Sequence, residues 1–192
     1  MTGVILAGGR NSRMGRNKAF LVLEGERLID RTARILRMVF RDLIIVTDDP
    51  FAYLDQEATL VTDILPGKGA LGGLYTGLLH ATGEQAFIVA CDMPFLNPLF
   101  VEYMVRQAEG YDIVVPAPPD GLQPLHAIYS RRCLPAIRAL LDRNALQVKG
   151  FYSGHSILRI SPPASAAFDP EGRMFLNVNN PDDLAHLAPG PP

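Results

Sequence analysis

Two adjacent glycines and a group of basic side chains lie within the first eighteen residues of this chain, MTGVILAGGRNSRMGRNK. Gly8 and Gly9 leave room for backbone N–H groups to approach an anion and can form a concave phosphate site. Four cations follow before the first acid, Glu24, and these are Arg10, Arg13, Arg16 and Lys18. Residues 1–23 therefore carry a formal charge of +4, although the whole chain carries −2. Such a loop is suited to hold a triphosphate and to stabilise its leaving group.

Three aspartates follow directly after predicted strands, and these are Asp48, Asp63 and Asp92. Ligands of open α/β sheets bind beyond the carboxyl ends of the strands, so we expect these side chains and Gly8 at one edge of a sheet. Asp92 follows the most apolar strand, residues 86–91, and its carboxylate is well placed to hold Mg²⁺ against phosphate oxygens. The alternative for Asp92 is an acid that caps the next turn.

The spacing of the glycines separates this loop from two common phosphate-binding motifs. A Walker A loop has four residues between its glycines and then Gly-Lys-Ser/Thr, whereas five residues separate Gly9 from Gly15 and Arg16 follows. A dinucleotide-binding loop has Gly-x-Gly-x-x-Gly, whereas the first two glycines here are adjacent. The pattern that fits is Leu-Ala-Gly-Gly-x-x-x-Arg-Met-Gly-x-x-Lys, with every fixed position present between Leu6 and Lys18. A glycine-rich surface turn explains such a register poorly.

This signature resembles that of the nucleoside-triphosphate transferase superfamily, and within it that of the molybdenum cofactor guanylyltransferases. The resemblance implies that Arg13 and Lys18 contact the triphosphate and that both are catalytic, together with Asp92. An arginine can grip two phosphate oxygens, and a lysine supplies a compact positive charge. Backbone groups are implied to contact the nucleotide from Leu6, Ala7, Gly8 and Gly9. Arg10 and Arg16 fall at variable positions of the motif, which favours solvated charges.

The resemblance also assigns roles to the aspartates. Asp92-Met93-Pro94 matches an Asp-x-Pro element whose aspartate binds Mg²⁺ beside the nucleotide. Asp63 matches an aspartate that contacts the nucleotide, and a carboxylate can accept from N1 and N2 of guanine or bind the ribose. The alternative for Asp63 is a turn-forming aspartate. The chain departs from the family pattern at Thr47-Asp48, where many relatives have an asparagine, and at Ala70, which replaces a proline in GKGALGG.

Two later segments resemble the acceptor side of the same family. Residues 123–129 resemble a Gln-Pro-Leu-x-Ala-Leu-Tyr strand, and FLNVNNPDDL resembles the C-terminal Asn-Val-Asn-Thr-Pro element. By this resemblance Asn177 and Asn179 face a pterin substrate. Asn180 is sufficiently explained as the N-cap of a last helix.

The activity implied by the resemblance is transfer of GMP from Mg·GTP to the terminal phosphate of molybdenum-molybdopterin, with release of pyrophosphate. The attacking phosphate oxygen is already ionised at neutral pH, so no general base is required. The implied cofactor is Mg²⁺, and the implied partners are GTP, molybdopterin, and proteins that deliver molybdopterin or mature molybdoenzymes. Two alternatives remain at this point: a cytidylyltransferase for molybdopterin or another small phosphate, and a non-catalytic nucleotide-binding regulatory module.

Strands and helices alternate along most of the chain, which predicts a single-domain α/β fold with an open, mostly parallel, doubly wound sheet. The resemblance identifies this as a Rossmann-like nucleotidyltransferase fold. We predict strands at residues 2–7, 43–47, 60–62, 86–91, 113–115, 125–129, 156–160 and 175–178, and helices at 27–40, 97–109 and 131–143. Residues 162–167 are predicted as a loop. The domain is expected to span residues 1–188, with 189–192 as a frayed tail.

Composition points to an ordinary globular protein, with 48% apolar and 20% charged residues. The near-neutral charge argues against a nucleic-acid partner, and no apolar stretch approaches the ~18 residues that span a bilayer. Cys91 and Cys133 form no Cys-x-x-Cys pair, so we expect packed, reduced thiols and a cytoplasmic location. Four scattered histidines are expected to form no metal site: His80, His126, His155 and His186.

Overall fold

A nine-strand, five-helix architecture is seen in the computed structural model, which describes residues 1–8, 17–178 and 183. The strands within these residues are β1 (Thr2–Leu6), β2 (Val22–Leu23), β3 (Glu26–Arg27), β4 (Leu43–Thr47), β5 (Thr59–Thr62), β6 (Gln85–Ala90), β7 (Ile113–Pro116), β8 (His126–Ser130) and β9 (Ile157–Ile160). The helices are α1 (Leu28–Arg37), α2 (Gly69–His80), α3 (Pro98–Gln107), α4 (Leu134–Asp142) and α5 (Pro162–Ala166). None of the described helices is long and apolar enough to cross a membrane.

Seven strands form one sheet in the order β5-β4-β1-β6-β8-β7-β9, while β2 and β3 form a separate small hairpin. Every neighbouring pair in the large sheet is parallel except the two pairs that involve β8, which runs antiparallel to β6 and β7. The expected open, mostly parallel sheet is therefore confirmed. The carboxyl ends of the six parallel strands and the amino end of β8 meet at one edge, which we call the site edge.

The sheet is covered on both faces, as the continuous apolar strands predict. Ile5 of β1 packs in one hydrophobic core with residues of α1 and α3. Val4 and Leu6 of the same strand point to the opposite face and pack in a second core with residues of α2 and α4. Alternation along one strand thus supplies both cores, and both strand faces are withdrawn from water.

Local sequence signals explain the buried face of α1 and the start of α3. In α1 the buried residues recur at helical spacing, and these are Leu28, Ile29, Thr32, Ala33, Ile35 and Leu36. The helix α3 starts after Asn97, whose side chain accepts hydrogen bonds from the backbone N–H groups of Leu99 (2.9 Å) and Phe100 (3.2 Å). Pro98 occupies the first helical position, where its missing N–H leaves no bond unmade. The predicted Asn97-Pro98 start is confirmed.

The glycines of α2 let this helix lie directly on β1. A Cβ atom added at Gly77 would overlap with Cγ1 of Val4, far inside an ordinary carbon–carbon contact. A Cβ atom at Gly73 would lie 3.4 Å from Cδ2 of Leu6, at an ordinary contact distance. The sequence run of small residues therefore reflects close packing of a helix on the sheet.

Two predicted elements differ in the structure. Residues 162–167 were expected to form a loop, but Pro162–Ala166 form α5, because proline is compatible with the first turn of a helix. The strand predicted at residues 175–178 is wrong: Arg173–Phe175 form a 3₁₀ turn, and residues 176–178 join no strand of the described sheet. The helix predicted to open at Asn180, the domain limit at residue 188 and the tail 189–192 lie outside the described residues.

Both cysteines are buried and unbridged, as expected for packed thiols. Burial raises the pKa of the Cys91 thiol and of the Cys133 thiol to about 12, so both stay protonated at neutral pH.

Candidate active site

The site edge carries a pocket of about 600 Å³ above β1, β4 and β5. Leu6 and Gly8 form its side at the end of β1, and Asp48 and Asp63 line it after β4 and β5. Much of the remaining lining comes from the start of α2 and the residues before it, namely Pro66, Gly67, Gly69 and Ala70. The structure therefore brings together Gly8, Asp48 and Asp63, three of the four residues that sequence analysis assigned to one edge. Ala7 is buried beside them, and its backbone N–H donates to the carbonyl of Val46 at 2.8 Å.

The two carboxylates of this pocket have different surroundings. Asp63 accepts a hydrogen bond at Oδ1 from the hydroxyl of Thr76 (2.8 Å) and another from the backbone N–H of Leu65 (3.0 Å). The bond to Leu65 is the turn-forming role that was the alternative for Asp63, and the same side chain also lines the pocket. Asp48 is exposed, and its carboxylate oxygens lie 3.6 Å from where a Cβ atom of Gly8 would be.

Asp92 and Lys18 form the charged centre of the site edge. The Nζ of Lys18 lies 3.8 Å from Oδ2 of Asp92, whose side chain is only 20% exposed. Burial raises the pKa of Asp92, while the charge of Lys18 opposes this rise. Oδ1 of Asp92 is buried and accepts no hydrogen bond from the described residues. A buried carboxylate with one oxygen unused by the described residues, close to a lysine, is a chemically suitable ligand for Mg²⁺.

The protein contributes few metal ligands at this point. No group of three or more His, Cys, Asp or Glu side chains suited to a metal ion exists within the described residues. Magnesium in nucleotide enzymes commonly takes one or two carboxylates together with substrate phosphates and water. The single carboxylate of Asp92 fits that mode of binding and does not fit a fully protein-held metal.

Lys18 is positioned by contacts that the sequence did not reveal. It opens the 3₁₀ turn Lys18–Phe20, which Asn17 caps by accepting a hydrogen bond from the N–H of Ala19 at 3.1 Å. The side-chain amide of Asn17 donates to the hydroxyl of Tyr53 at 2.8 Å. That hydroxyl donates in turn to the carbonyl of Ala7 at 3.2 Å. Asn17 occupies a variable position of the loop motif and Tyr53 is distant in sequence, so neither gave a usable signal.

The acceptor-side segments approach Asp92 from the other half of the sheet. The carbonyl of Leu125 accepts a hydrogen bond from the N–H of Ala90 at 3.1 Å, two residues before Asp92. The N–H of Val178 donates to the carbonyl of Asp92 at 2.8 Å. Asn177, the residue before Val178, is exposed at this edge. Three predicted site residues, Gly9, Arg13 and Asn179, lie outside the described residues, as do Arg10 and Arg16.

Residues 3–157 match the family model described as the MobA-like NTP transferase domain. The chain belongs to this family. A molybdenum cofactor guanylyltransferase of Desulfosudis oleivorans is 39% identical over 96% of the chain and 92% of its own length. A protein of Pelotomaculum thermopropionicum named probable molybdenum cofactor guanylyltransferase is 40% identical over 95% of the chain and 89% of its own length.

Among solved structures, a molybdopterin-guanine dinucleotide biosynthesis protein A from Archaeoglobus fulgidus superposes with a TM-score of 0.82 at 25% identity, covering 97% of this chain and 96% of that chain. The Rossmann-like nucleotidyltransferase fold expected from the sequence is therefore confirmed for this MobA-like chain. As a member of this family, the chain is a nucleotidyltransferase.

None of the histidines that the structure describes in this MobA-like domain lines the pocket. His126 is fully buried against the rings of Phe87, Phe100 and Phe175, with ring centroids 5.3 to 5.7 Å apart. Burial lowers the pKa of His126 to about 3, so the imidazole is neutral in the folded protein at physiological pH. The imidazole therefore acts as a core aromatic and not as a proton carrier.

Proposed function

We propose that this protein transfers GMP from Mg·GTP to the terminal phosphate of molybdenum-molybdopterin, forming the guanine dinucleotide and releasing pyrophosphate. The observation that carries the proposal is the Lys18–Asp92 pair, with Asp92 following β6, at the same sheet edge as a pocket of about 600 Å³ above the neighbouring strand β1. The pocket has the size of a nucleoside site, and we infer that the phosphates of a bound nucleotide extend from it toward the charged pair. The names of the relatives at 39% and 40% identity support the same reaction.

In this reaction the chain acts through position and charge. The nucleophile is a phosphate oxygen that is already ionised, so the described site needs no histidine or serine to remove a proton. Lys18 stabilises negative charge on the departing pyrophosphate, and Arg13 is assigned the same duty by its place in the loop motif. Asp92 holds Mg²⁺, which when bound polarises the α-phosphate. The buried surroundings of Asp92 strengthen these interactions because they limit screening by water.

The charge of the pocket favours guanine over cytosine. The described lining residues include the carboxylates of Asp48 and Asp63 and no lysine or arginine. Guanine presents two neighbouring donors, N1–H and the N2 amine, and carboxylate oxygens can accept from such donors. Cytosine presents one amine beside the acceptors N3 and O2, and these acceptors would be repelled by a carboxylate. We therefore assign GTP as the donor.

A thermal-shift panel of GTP, CTP, ATP, UTP and dTTP, each with and without Mg²⁺, tests the donor. A nucleotide at a hundred times its Kd adds about 2.7 kcal/mol to the free energy of unfolding. For a domain of this size the rise in Tm is roughly 5 to 11 °C. Mg²⁺-dependent stabilisation by GTP alone supports the proposal, stabilisation by CTP contradicts the donor, and no shift with any nucleotide contradicts nucleotide transfer.

Pyrophosphate release separates an enzyme from a regulatory module. With Mg·GTP and molybdenum-molybdopterin we expect release by the wild type, and a loss of about 10²-fold or more in the Lys18→Ala variant, because Lys18 acts on the developing charge. GTP binding without pyrophosphate release would favour the regulatory module.

The proposal also includes partner proteins that supply molybdopterin or receive the product, and a cytoplasmic location that suits two unbridged thiols.

A further inference from the structure

A buried threonine behind the pocket holds one of its two carboxylates. Thr76 lies on α2 and is fully buried, so it does not itself reach the pocket. Its hydroxyl donates to Oδ1 of Asp63 at 2.8 Å and accepts from the backbone N–H of Ile64 at 3.2 Å. A hydroxyl has one proton, and the amide must be the donor in the second bond, so the direction of both bonds is fixed.

The two oxygens of Asp63 are consequently unequal. Oδ1 takes the bond from Thr76 and the bond from Leu65, whereas Oδ2 accepts no hydrogen bond from any described residue. A Cβ atom at Gly72 would lie only 3.0 Å from Oδ2, so the glycine keeps the space beside this oxygen open. Because Asp63 lines the pocket, Oδ2 is the oxygen that remains for a ligand.

We propose that Thr76 is a positioning residue for the donor nucleotide, since it fixes the Asp63 carboxylate with Oδ2 available to an N–H or O–H donor of the nucleoside. A carboxylate held by two bonds loses little rotational freedom when the ligand binds, which increases affinity. Loss of the Thr76 hydroxyl should weaken nucleotide binding and not slow the chemical step. Asp63 lines the pocket proposed for the base, whereas Asp92 carries the charge proposed to lie at the phosphates. This inference rests on the proposed function.

The test removes the hydroxyl and keeps the shape of the side chain. For Thr76→Val we expect the Kd of Mg·GTP, measured by calorimetry, to rise about tenfold, since a hydrogen bond to a charged group is lost. The KM for GTP should rise by the same factor, while kcat stays within about twofold of the wild type. Thr76→Ser restores the hydroxyl and should bind GTP within about twofold of the wild type.

A matched control is available on α1. Thr32 is also fully buried, and its hydroxyl bonds to no described residue. Thr32→Val should therefore leave the Kd of GTP unchanged, which separates the Asp63 contact from the general effect of altering a buried threonine. If Thr76→Val does not fold, Thr76→Ala gives the same test with a smaller side chain that is well tolerated in helices.

The possible results divide clearly. Unchanged GTP affinity in Thr76→Val, or a loss that Thr76→Ser does not restore, overturns the positioning role while leaving the proposed function intact. A fall in kcat with an unchanged KM also overturns it. A wild-type protein that binds no nucleotide overturns the proposed function, and the role of Thr76 falls with it.

Discussion

At the site edge, the ionised form of Asp92 is disfavoured by burial, and one of its carboxylate oxygens accepts no hydrogen bond from the described residues. A carboxylate in this state destabilises the ligand-free fold and gains its partners only when metal and substrate bind. Such a conflict between stability and activity is common at catalytic positions.

Replacement of Asp92 by asparagine should raise the Tm of the ligand-free protein and lower transfer activity by about 10²-fold or more. The Tm rises because an amide of the same shape carries no charge that burial disfavours. The measurement is a thermal melt without nucleotide together with a pyrophosphate-release assay. Asp142→Asn, which breaks the exposed pair with Arg138, is the control and should leave the Tm nearly unchanged, because water screens that pair. A lower Tm for Asp92→Asn would contradict the argument.

His126 makes the stability of the fold sensitive to acid. Its folded pKa of about 3 lies below the ordinary value of 6.5, so the unfolded chain binds the proton more readily. The stability contributed by the neutral imidazole is complete above pH 6.5 and falls as the pH drops toward 3. We expect a loss of about 3 kcal/mol by pH 4 from this residue alone.

Urea denaturation between pH 4 and pH 7 measures this effect. His126→Leu cannot take up a proton, so its free energy of unfolding should vary less with pH in this window than that of the wild type. His80→Gln, a change at an exposed histidine, should retain the wild-type slope. Equal slopes for wild type and His126→Leu would show that other groups cause the acid sensitivity.

Among the elements, α2 shows how closely a helix must approach the sheet to form the pocket. Its first residues line the pocket, its middle carries Thr76, and two of its glycines, Gly73 and Gly77, lie close to side chains of β1. Because both the pocket wall and the Asp63 contact depend on this approach, the depth at which α2 packs determines the geometry of the site.

Gly77→Ala should destabilise the protein by about 1–3 kcal/mol, because the new methyl group would overlap with Val4 in a packed core. Gly73→Ala is the matched control on the same helix, since its Cβ atom would make only an ordinary contact with Leu6. We expect that change to be neutral or stabilising in the ligand-free protein, as alanine favours helix. Chemical denaturation of both variants gives the comparison, and equal stabilities would refute the close packing.

The elements also show why one strand prediction failed. The apolar residues Met174, Phe175 and Val178 are buried, as the sequence suggested. Met174 and Phe175 pack into the core beside α3, and Val178 joins a small cluster with Leu23 and Leu28. An apolar pattern indicates that residues are buried, but it does not indicate whether the segment can form hydrogen bonds with a strand at the edge of the sheet.

At the scale of the whole molecule, the strand order would separate the two proposed substrates. The proposed nucleotide pocket lies above β1, β4 and β5, and Asp92 follows β6, which neighbours β1. The loop of residues 117–125 joins β7 to β8 at the same edge on the other side of Asp92. Donor and acceptor are therefore expected on opposite sides of the metal ligand, which suits transfer between two phosphates.

A buried tyrosine pair supports the loop of residues 117–125 on the proposed acceptor side. The hydroxyl of Tyr129 donates to the carbonyl of Pro124 at 2.7 Å. Its one proton is thereby used, so in the 2.7 Å contact between the two hydroxyls Tyr152 is the donor. The pair ties the 117–125 loop to residues that follow α4.

Tyr152→Phe should raise the KM for molybdopterin and leave the thermal shift produced by GTP unchanged, because only the acceptor half loses a bond. Stability should fall by about 1 kcal/mol, since the Tyr129 oxygen loses its donor in the core. Steady-state kinetics with each substrate varied in turn provide the measurement. Tyr103→Phe is the control, because Tyr103 makes ring contacts with Phe100 and Phe168. A change in GTP binding equal to that in molybdopterin KM would count against two separate halves.

The sequence by itself determined the features that depend on neighbouring residues. The motif from Leu6 to Lys18 indicated the family, and the buried strands β1, β4 and β6 and the aspartates at strand ends were predictable. These signals are local, because backbone freedom, apolar runs and strand termini depend on a few consecutive residues.

Only the tertiary structure decided which distant groups meet. Thr76 and Asp63 are 13 residues apart, Tyr152 and Tyr129 are 23 apart, and Tyr53 reaches Ala7 across 46. The reversal of β8 and the packing depth of α2 likewise had no local signal. Such contacts depend on the order of strands and the fit of side chains over the whole core, because each pairing is selected by the free energy of the complete arrangement and not by its own segment.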